Sequence, residues 1–252
     1  MKILAFALAV GVPLTLLIGA HELTSPMTRL MADDASDSET VEAEHVASLC
    51  GEIWSPAEKI AAKDGVLCAF MPSIDPASAS ELVALLEANR IQWILILSFG
   101  GDVGSALDMA DAIYESRARL IINGPCLSSC ANHVFLAARE KYVLSGGVVA
   151  WHGGIPHTPS SESNPLAPLI ARSNAFFDKV GVSKDLFERY PQELAKAPAF
   201  HRAIDAKVAL FWTYPKADLE KRFMVTGIRS YWFPEYSEWK KKAPSLVFRT
   251  DQ

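Results

Sequence analysis

The chain has 252 residues and a mass of 27.5 kDa, with half of its residues apolar and about a fifth charged. That composition can bury a core and excludes wholesale disorder. The net charge of −5 argues against a nucleic-acid partner, which selects a basic face, and four cysteines are too few for a disulfide scaffold.

Residues 3–20 read ILAFALAVGVPLTLLIGA, uncharged and preceded by Lys2. A basic start followed by an apolar run is the pattern of a signal peptide. Left uncleaved, a run of this length also serves as a membrane anchor. Ala20, with Ile18 at the third position back, is an acceptable cleavage site. Gly11 and Pro13 interrupt a spanning helix without forbidding it. Both alternatives put the remainder outside the cytoplasm of a bacterial cell, either periplasmic or anchored to the inner membrane and facing the periplasm. Asp33, Asp34, Asp37, Glu39, Glu42 and Glu44 follow with no basic residue among them. Nothing there would desolvate the carboxylates, so the stretch reads as a solvated tether and not a catalytic cluster. The expected organisation is a signal peptide or anchor over 1–20, an acidic flexible tether over 21–49 and one folded domain over 50–252.

Residues 66–71 (VLCAFM) form an apolar run suited to a buried strand. Ser78 or Ser80 can cap a helix that puts Leu82, Leu85 and Leu86 on one face. Residues 93–97 (WILIL) are a second buried strand, followed by the turn Ser98-Phe99-Gly100-Gly101-Asp102. A helix is expected over 106–116, a third strand over 120–122, a turn over 124–129 and a helix over 131–138. Short strands follow at 142–144 and 148–151, then a polar, Pro-rich loop at 155–165. Further helices are expected at 167–179, at 183–196 and from Pro198 to about Leu210. Residues 229–252 show no clear period. Strands and helices alternating in short units predict an α/β fold with a mostly parallel sheet.

Three features carry chemistry. Gly100-Gly101 leaves a buried strand, where backbone N–H groups can approach a ligand with no Cβ in the way; tight strand-to-helix turns use glycine too. Gly124-Pro125-Cys126-Leu127-Ser128-Ser129-Cys130 sets a serine pair at the mouth of a helix. The unpaired N–H groups there favour an oxyanion, although serine is also a favoured N-cap. His152 ends a strand and precedes Gly153-Gly154, a place from which it can act as a base.

Strand, Gly-Gly, helix, strand, Gly-x3-Ser, helix, strand and His follow one another, with an Asp beyond a helical insert. In this order the chain resembles the ClpP-like serine peptidases of the ClpP/crotonase fold. The resemblance runs over about residues 66–227 and is densest from Ile94 to Gly153. It is closer still to exported bacterial ClpP-like proteins with a Cys-x-Ser-x-Cys segment, here Cys126 to Cys130. It implies a spiral of short β-β-α units, with Ser128 as nucleophile and Ser129 as its rival. His152 matches the general base. Asp205 matches the third triad member, with Asp178 and Asp185 as weaker rivals. The N–H groups of Gly101 and Ser129 match the oxyanion hole. The implied activity is a serine hydrolase, a peptidase acting on a peptide or protein substrate, without cofactor or metal. Self-association is expected, and contact with a membrane if the N-terminus stays uncleaved. The alternative is a non-catalytic module that binds a peptide or protein partner in the cleft. The chain departs from the family in Phe99, where a proline is usual, in Ser129, where a bulkier apolar residue is usual, and in Cys130, which replaces a small residue.

The cysteines leave alternatives. Cys126 and Cys130 can bridge if the segment begins outside a helix, or stay as buried thiols. Cys50 and Cys68 can pair across the start of the domain. A zinc site from Cys126, Cys130 and His133 lacks a second ligand pair. Lys141 offers a Ser–Lys dyad but follows the helix, where His152 is better placed. Acyl-CoA chemistry needs only an oxyanion hole on this fold and does not suit an exported location.

Overall fold

The computed structural model describes residues 26–53, 59–152, 165–189, 192–193, 195 and 210–251. The apolar run at 3–20, the loop at 155–164, the helix expected from Pro198 and Asp205 all lie outside the described residues. The chain divides into two units, Met1–Ala35 and Ser36–Gln252. Of the first, residues 26–35 are helical; the second carries the sheet and its covering helices. Among the described residues no helix is long and apolar enough to cross a membrane.

In chain order the elements are α1 (Pro26–Ile53), β1 (Ile60–Lys63), β2 (Val66–Met71), α2 (Pro76–Ala88), β3 (Trp93–Ser98), α3 (Val103–Ser116), β4 (Arg119–Ile122) and β5 (Pro125–Leu127). A short π-helix, Cys130–Phe135, leads to β6 (Lys141–Val143), β7 (Val148–Ala150), α4 (Ala167–Val180) and α5 (Asp185–Glu188). The chain closes with β8 (Phe211–Thr213), α6 (Lys216–Lys221), β9 (Ile228–Tyr231), α7 (Tyr236–Lys242) and β10 (Val247–Arg249).

Six strands run in the order β1-β2-β3-β4-β6-β9, and only β1 is antiparallel to its neighbour. The expected α/β architecture with a mostly parallel sheet is therefore present. β5 and β7 branch from this row: β5 meets β3 at Ser98 and pairs in parallel with β7. β3 thus gives residues 93–95 to β4 and its last residue to β5. β8 and β10 form a separate parallel pair.

Side chains alternate across a strand, and β3 divides accordingly between two cores. Ile94 and Ile96 join the larger core with Leu82 of α2, Met109 of α3 and Phe135 of the π-helix. Trp93 and Leu95 face the other way, onto α1. The expected strands over 66–71, 93–97, 120–122, 142–144 and 148–151 recur within a residue or two, because parallel strands buried on both faces read as unbroken apolar runs. The cap of α2 differs from expectation. Asp75 accepts from the Ser78 N–H at 2.8 Å, and Ser78 Oγ accepts from the Asp75 N–H at 3.1 Å. A carboxylate one residue before Pro76 thus begins the helix, ahead of both serines.

The largest correction concerns the acidic stretch. The tether expected over 21–49 is helical from Pro26, and the compact domain begins at Ser36 instead of near Cys50. Ala43, Val46 and Cys50 recur at helical spacing and are buried against Cys68, Leu95 and Tyr142. The carboxylates find partners that a tether would lack. Glu39 accepts from the Tyr142 hydroxyl at 3.1 Å, while Glu42 accepts from Trp93 Nε1 and pairs with Arg119. A disulfide between Cys50 and Cys68 holds this helix to β2, with Cα atoms 5.6 Å apart.

Candidate active site

Three strand ends converge beyond β3. Ser98 ends β3 beside Cys126 of β5, and Leu127 at the end of β5 pairs with Ala150 at the end of β7. Each strand delivers one candidate segment at its carboxyl end: Gly100-Gly101, Ser128-Ser129 and His152.

Ser128 lies between β5 and the π-helix in a left-handed conformation, φ 56°. That conformation is costly for a residue with a Cβ and persists only where the surroundings enforce it. Its N–H donates to the Ala150 carbonyl at 3.1 Å, and its carbonyl accepts from the Asn132 N–H at 2.8 Å. The Cys126–Cys130 disulfide closes over the same turn, with Cα atoms 5.2 Å apart. Cys126 lies on a strand, which supplies the non-helical start that such a short bridge requires. This bridge joins the two sulfurs that a zinc site with His133 would need. Among the described residues no group of three His, Cys, Asp or Glu is arranged to hold a metal.

The two serines have separate partners. Ser128 Oγ lies 2.5 Å from His152 Nε2, and both residues are part-exposed. Ser129 is buried, and its hydroxyl donates to the Gly101 carbonyl at 2.8 Å. Ser129 makes no side-chain cap to the π-helix, so the capping role open to it in the sequence is not taken up.

The glycine turn packs directly against this serine pair. Gly100 has φ 90°, and a Cβ placed on it would fall 2.6 Å from Ser128 Cβ and 2.9 Å from Ser129 N. Only glycine permits that approach. The Gly100 carbonyl accepts from the Ile74 N–H at 2.8 Å. In a trans peptide the following N–H points the opposite way, so Gly101 N–H is directed away from Ile74. By the same geometry Ser129 N–H points away from Asn132. Among the described residues neither N–H has an acceptor. Asp102, next in sequence, is committed elsewhere: it accepts from Ser105 N and Oγ at the start of α3, and these bonds hold its carboxyl below the usual range.

His152 follows Trp151, which exchanges two backbone hydrogen bonds with Trp212 of β8 at 2.9 and 2.8 Å. This bridge brings Phe211 edge-on against the imidazole, with ring centroids 5.0 Å apart at 85°. Nothing local to Phe211 marks this contact, which depends on the pairing of Trp151 with Trp212. Asp205 falls outside the described residues. Asp178, one of its rivals, is exposed and pairs with Lys184 at 3.0 Å. Asp185 opens α5 and is exposed. Lys141 is buried, and its Nζ donates to the carbonyls of Ala138 and Thr226, away from either serine.

Comparison with known protein families and with curated proteins finds no match to this chain.

Proposed function

We propose that the chain is an exported or membrane-anchored serine hydrolase, a ClpP-like peptidase of the ClpP/crotonase fold acting on peptide or protein substrates. The single observation that carries this reading is the 2.5 Å approach of Ser128 Oγ to His152 Nε2 at the end of three converging strands. A serine hydroxyl is a weak nucleophile near neutral pH and needs a base within hydrogen-bond reach. The left-handed turn at Ser128 supports the assignment, because a sharp strand-to-helix turn lifts a nucleophile clear of the sheet.

In this mechanism His152 takes the Ser128 proton as Oγ attacks the carbonyl carbon. The tetrahedral oxyanion is held by the N–H groups of Gly101 and Ser129. Collapse breaks the bond to the leaving group, which receives the proton from His152, and an ester to Ser128 remains. Water, deprotonated by His152, then releases the acid. Asp205 is assigned the orienting role on the imidazole. Two disulfides support an oxidising compartment, in agreement with an export segment at residues 1–20. Self-association is part of the proposal by resemblance.

The test is labelling of the folded full chain with a fluorophosphonate probe. Labelling should vanish in Ser128→Ala and persist in Ser129→Ala. No labelling of wild type, with a peptide still retained, would replace the hydrolase with a non-catalytic peptide-binding module.

A further inference from the structure

We propose that a second binding site, for a small carboxylate with an apolar body, lies at the opposite end of the sheet from Ser128, in a cavity formed at Lys141 and flanked by Arg139 and Lys179. Its position follows from strand register. Lys141 opens β6 and aligns with Leu120 in β4, which aligns with Ile94 near the start of β3. The Gly100-Gly101 turn and Ser128 lie beyond the other end of β3.

Lys141 is 2% exposed. Its Nζ donates to the carbonyls of Ala138 and Thr226, the latter at 2.8 Å. An ammonium has three N–H donors; among the described residues no oxygen or nitrogen takes the third and no carboxylate pairs with it, and its remaining neighbour is the Phe135 ring, whose centroid lies 5.8 Å from Nζ. An unpaired buried cation is costly; burial pushes Lys141 down to about 7. An arriving anion would relieve that cost.

Space for one exists at the same place. Ala138 and Thr226, which hold Nζ, line a cavity of about 200 Å³ together with Lys141 itself. Lys179 and Arg139 also line it, both exposed, with their charges over the ring of Tyr114 at 4.4 and 5.5 Å. Among the described residues no carboxylate lines it. Asp111 and Glu115 are both bound to Lys179, and Glu140 is held by Arg229. Arg139 has no ion pair among the described residues. The corner therefore has an unneutralised guanidinium and, below about pH 7, an ammonium with a donor to spare.

Beside these cations the wall is mixed: Leu136, Val180, Val182 and Val225 share it with Tyr114 and Thr226. The four aliphatic side chains offer contact to the carbon body of a ligand, and a cavity of ~150 Å³ already takes a benzene ring. A phosphate would turn polar oxygens against the valines without partners. One carboxylate on an apolar body satisfies the donors and the wall together.

The test is calorimetric titration of the full chain at about pH 6, where Lys141 is protonated, and at fixed ionic strength, with sodium benzoate, sodium acetate and inorganic phosphate. Benzoate should bind saturably with a Kd of about 1 mM or tighter, and acetate more weakly. Phosphate should not compete with it. Lys141→Met and Arg139→Gln should each weaken benzoate by about tenfold, as expected for loss of a charge-assisted hydrogen bond. Arg139 is exposed, so its variant remains informative if Lys141→Met does not fold. Ser128→Ala should bind benzoate as wild type does, which separates this site from the proposed hydrolase site. Absence of saturable benzoate binding, equal affinity in wild type and Arg139→Gln, or displacement by phosphate would each overturn the proposal.

Discussion

The two disulfides hold different things. Cys50–Cys68 spans 18 positions and joins a helix to a strand; Cys126–Cys130 spans four and has Ser128 at its centre. In the chain-entropy model the first contributes about 3 kcal/mol and the second about 2 kcal/mol. The free energies are similar, but the loops they close are not. The long bridge secures α1 on the sheet, where Ala43 and Val46 are already buried and Glu42 meets Arg119. The short bridge fixes one backbone conformation that the chain would not otherwise favour. What a cross-link does for function depends on what lies inside its loop more than on the stability it adds.

Substitutions can break this contrast. The largest effect is expected at the centre of the short loop: Ser128→Ala should lower the rate of ester or peptide hydrolysis by at least about 10³-fold in steady-state kinetics, with little change in melting temperature. Next is Gly100→Ala. Its Cβ would meet Ser128 Cβ at 2.6 Å and the Leu127 carbonyl oxygen at 2.7 Å, so backbone must shift. Denaturant unfolding should show a loss of about 3 kcal/mol, accompanied by loss of probe labelling. Should labelling survive, the two turns are not coupled as described.

The paired cysteine variants test the comparison itself. Cys50→Ala with Cys68→Ala should cost about 3 kcal/mol in unfolding and leave labelling of the surviving folded fraction intact. Cys126→Ala with Cys130→Ala should cost about 2 kcal/mol and slow labelling. Equal labelling rates in the two double variants would remove the functional distinction between the bridges.

A pH series sharpens the contrast from outside both loops. Lys141 is pushed from 10.5 down to about 7 by burial. Between those values the unfolded chain holds a proton at this group that the folded chain releases, so stability rises with pH. The slope reaches about 1.4 kcal/mol per pH unit and disappears below pH 7, where both states are protonated. Lys141→Met should flatten this rise, as read from denaturant midpoints between pH 7 and 10. The smallest effect is on the helix side. Glu42→Gln removes a half-exposed partner of Arg119 and should cost about 0.5 kcal/mol in the same measurement. A loss of several kcal/mol would mean that charge, and not the buried stripe of α1, holds the helix.

Local pattern carried much of the fold. The runs at 66–71 and 93–97 declare buried strands because both of their faces are covered, and α3 and α4 show their apolar faces at helical spacing. The failures have physical causes. Residues 33–44 look like a tether because six carboxylates hide a thin stripe whose burial depends on Arg119, Trp93 and Tyr142, all distant in sequence. Residues 229–252 gave no period because β9, α7 and β10 are too short to show one; β9 and β10 gain stability as strands only beside β6 and β8.

The candidate site divides in the same way. By itself the sequence determined the residue types and their order: paired glycines after a buried strand, two serines between cysteines, and a histidine at a strand's end. These are properties of adjacent residues, fixed by chain connectivity. Tertiary structure decided which serine faces His152, joined Cys126 to Cys130, turned Ser129 toward Gly101 and set Phe211 against the imidazole. Those outcomes depend on strand register and on contacts between distant segments, and neither is encoded in any single stretch of the chain.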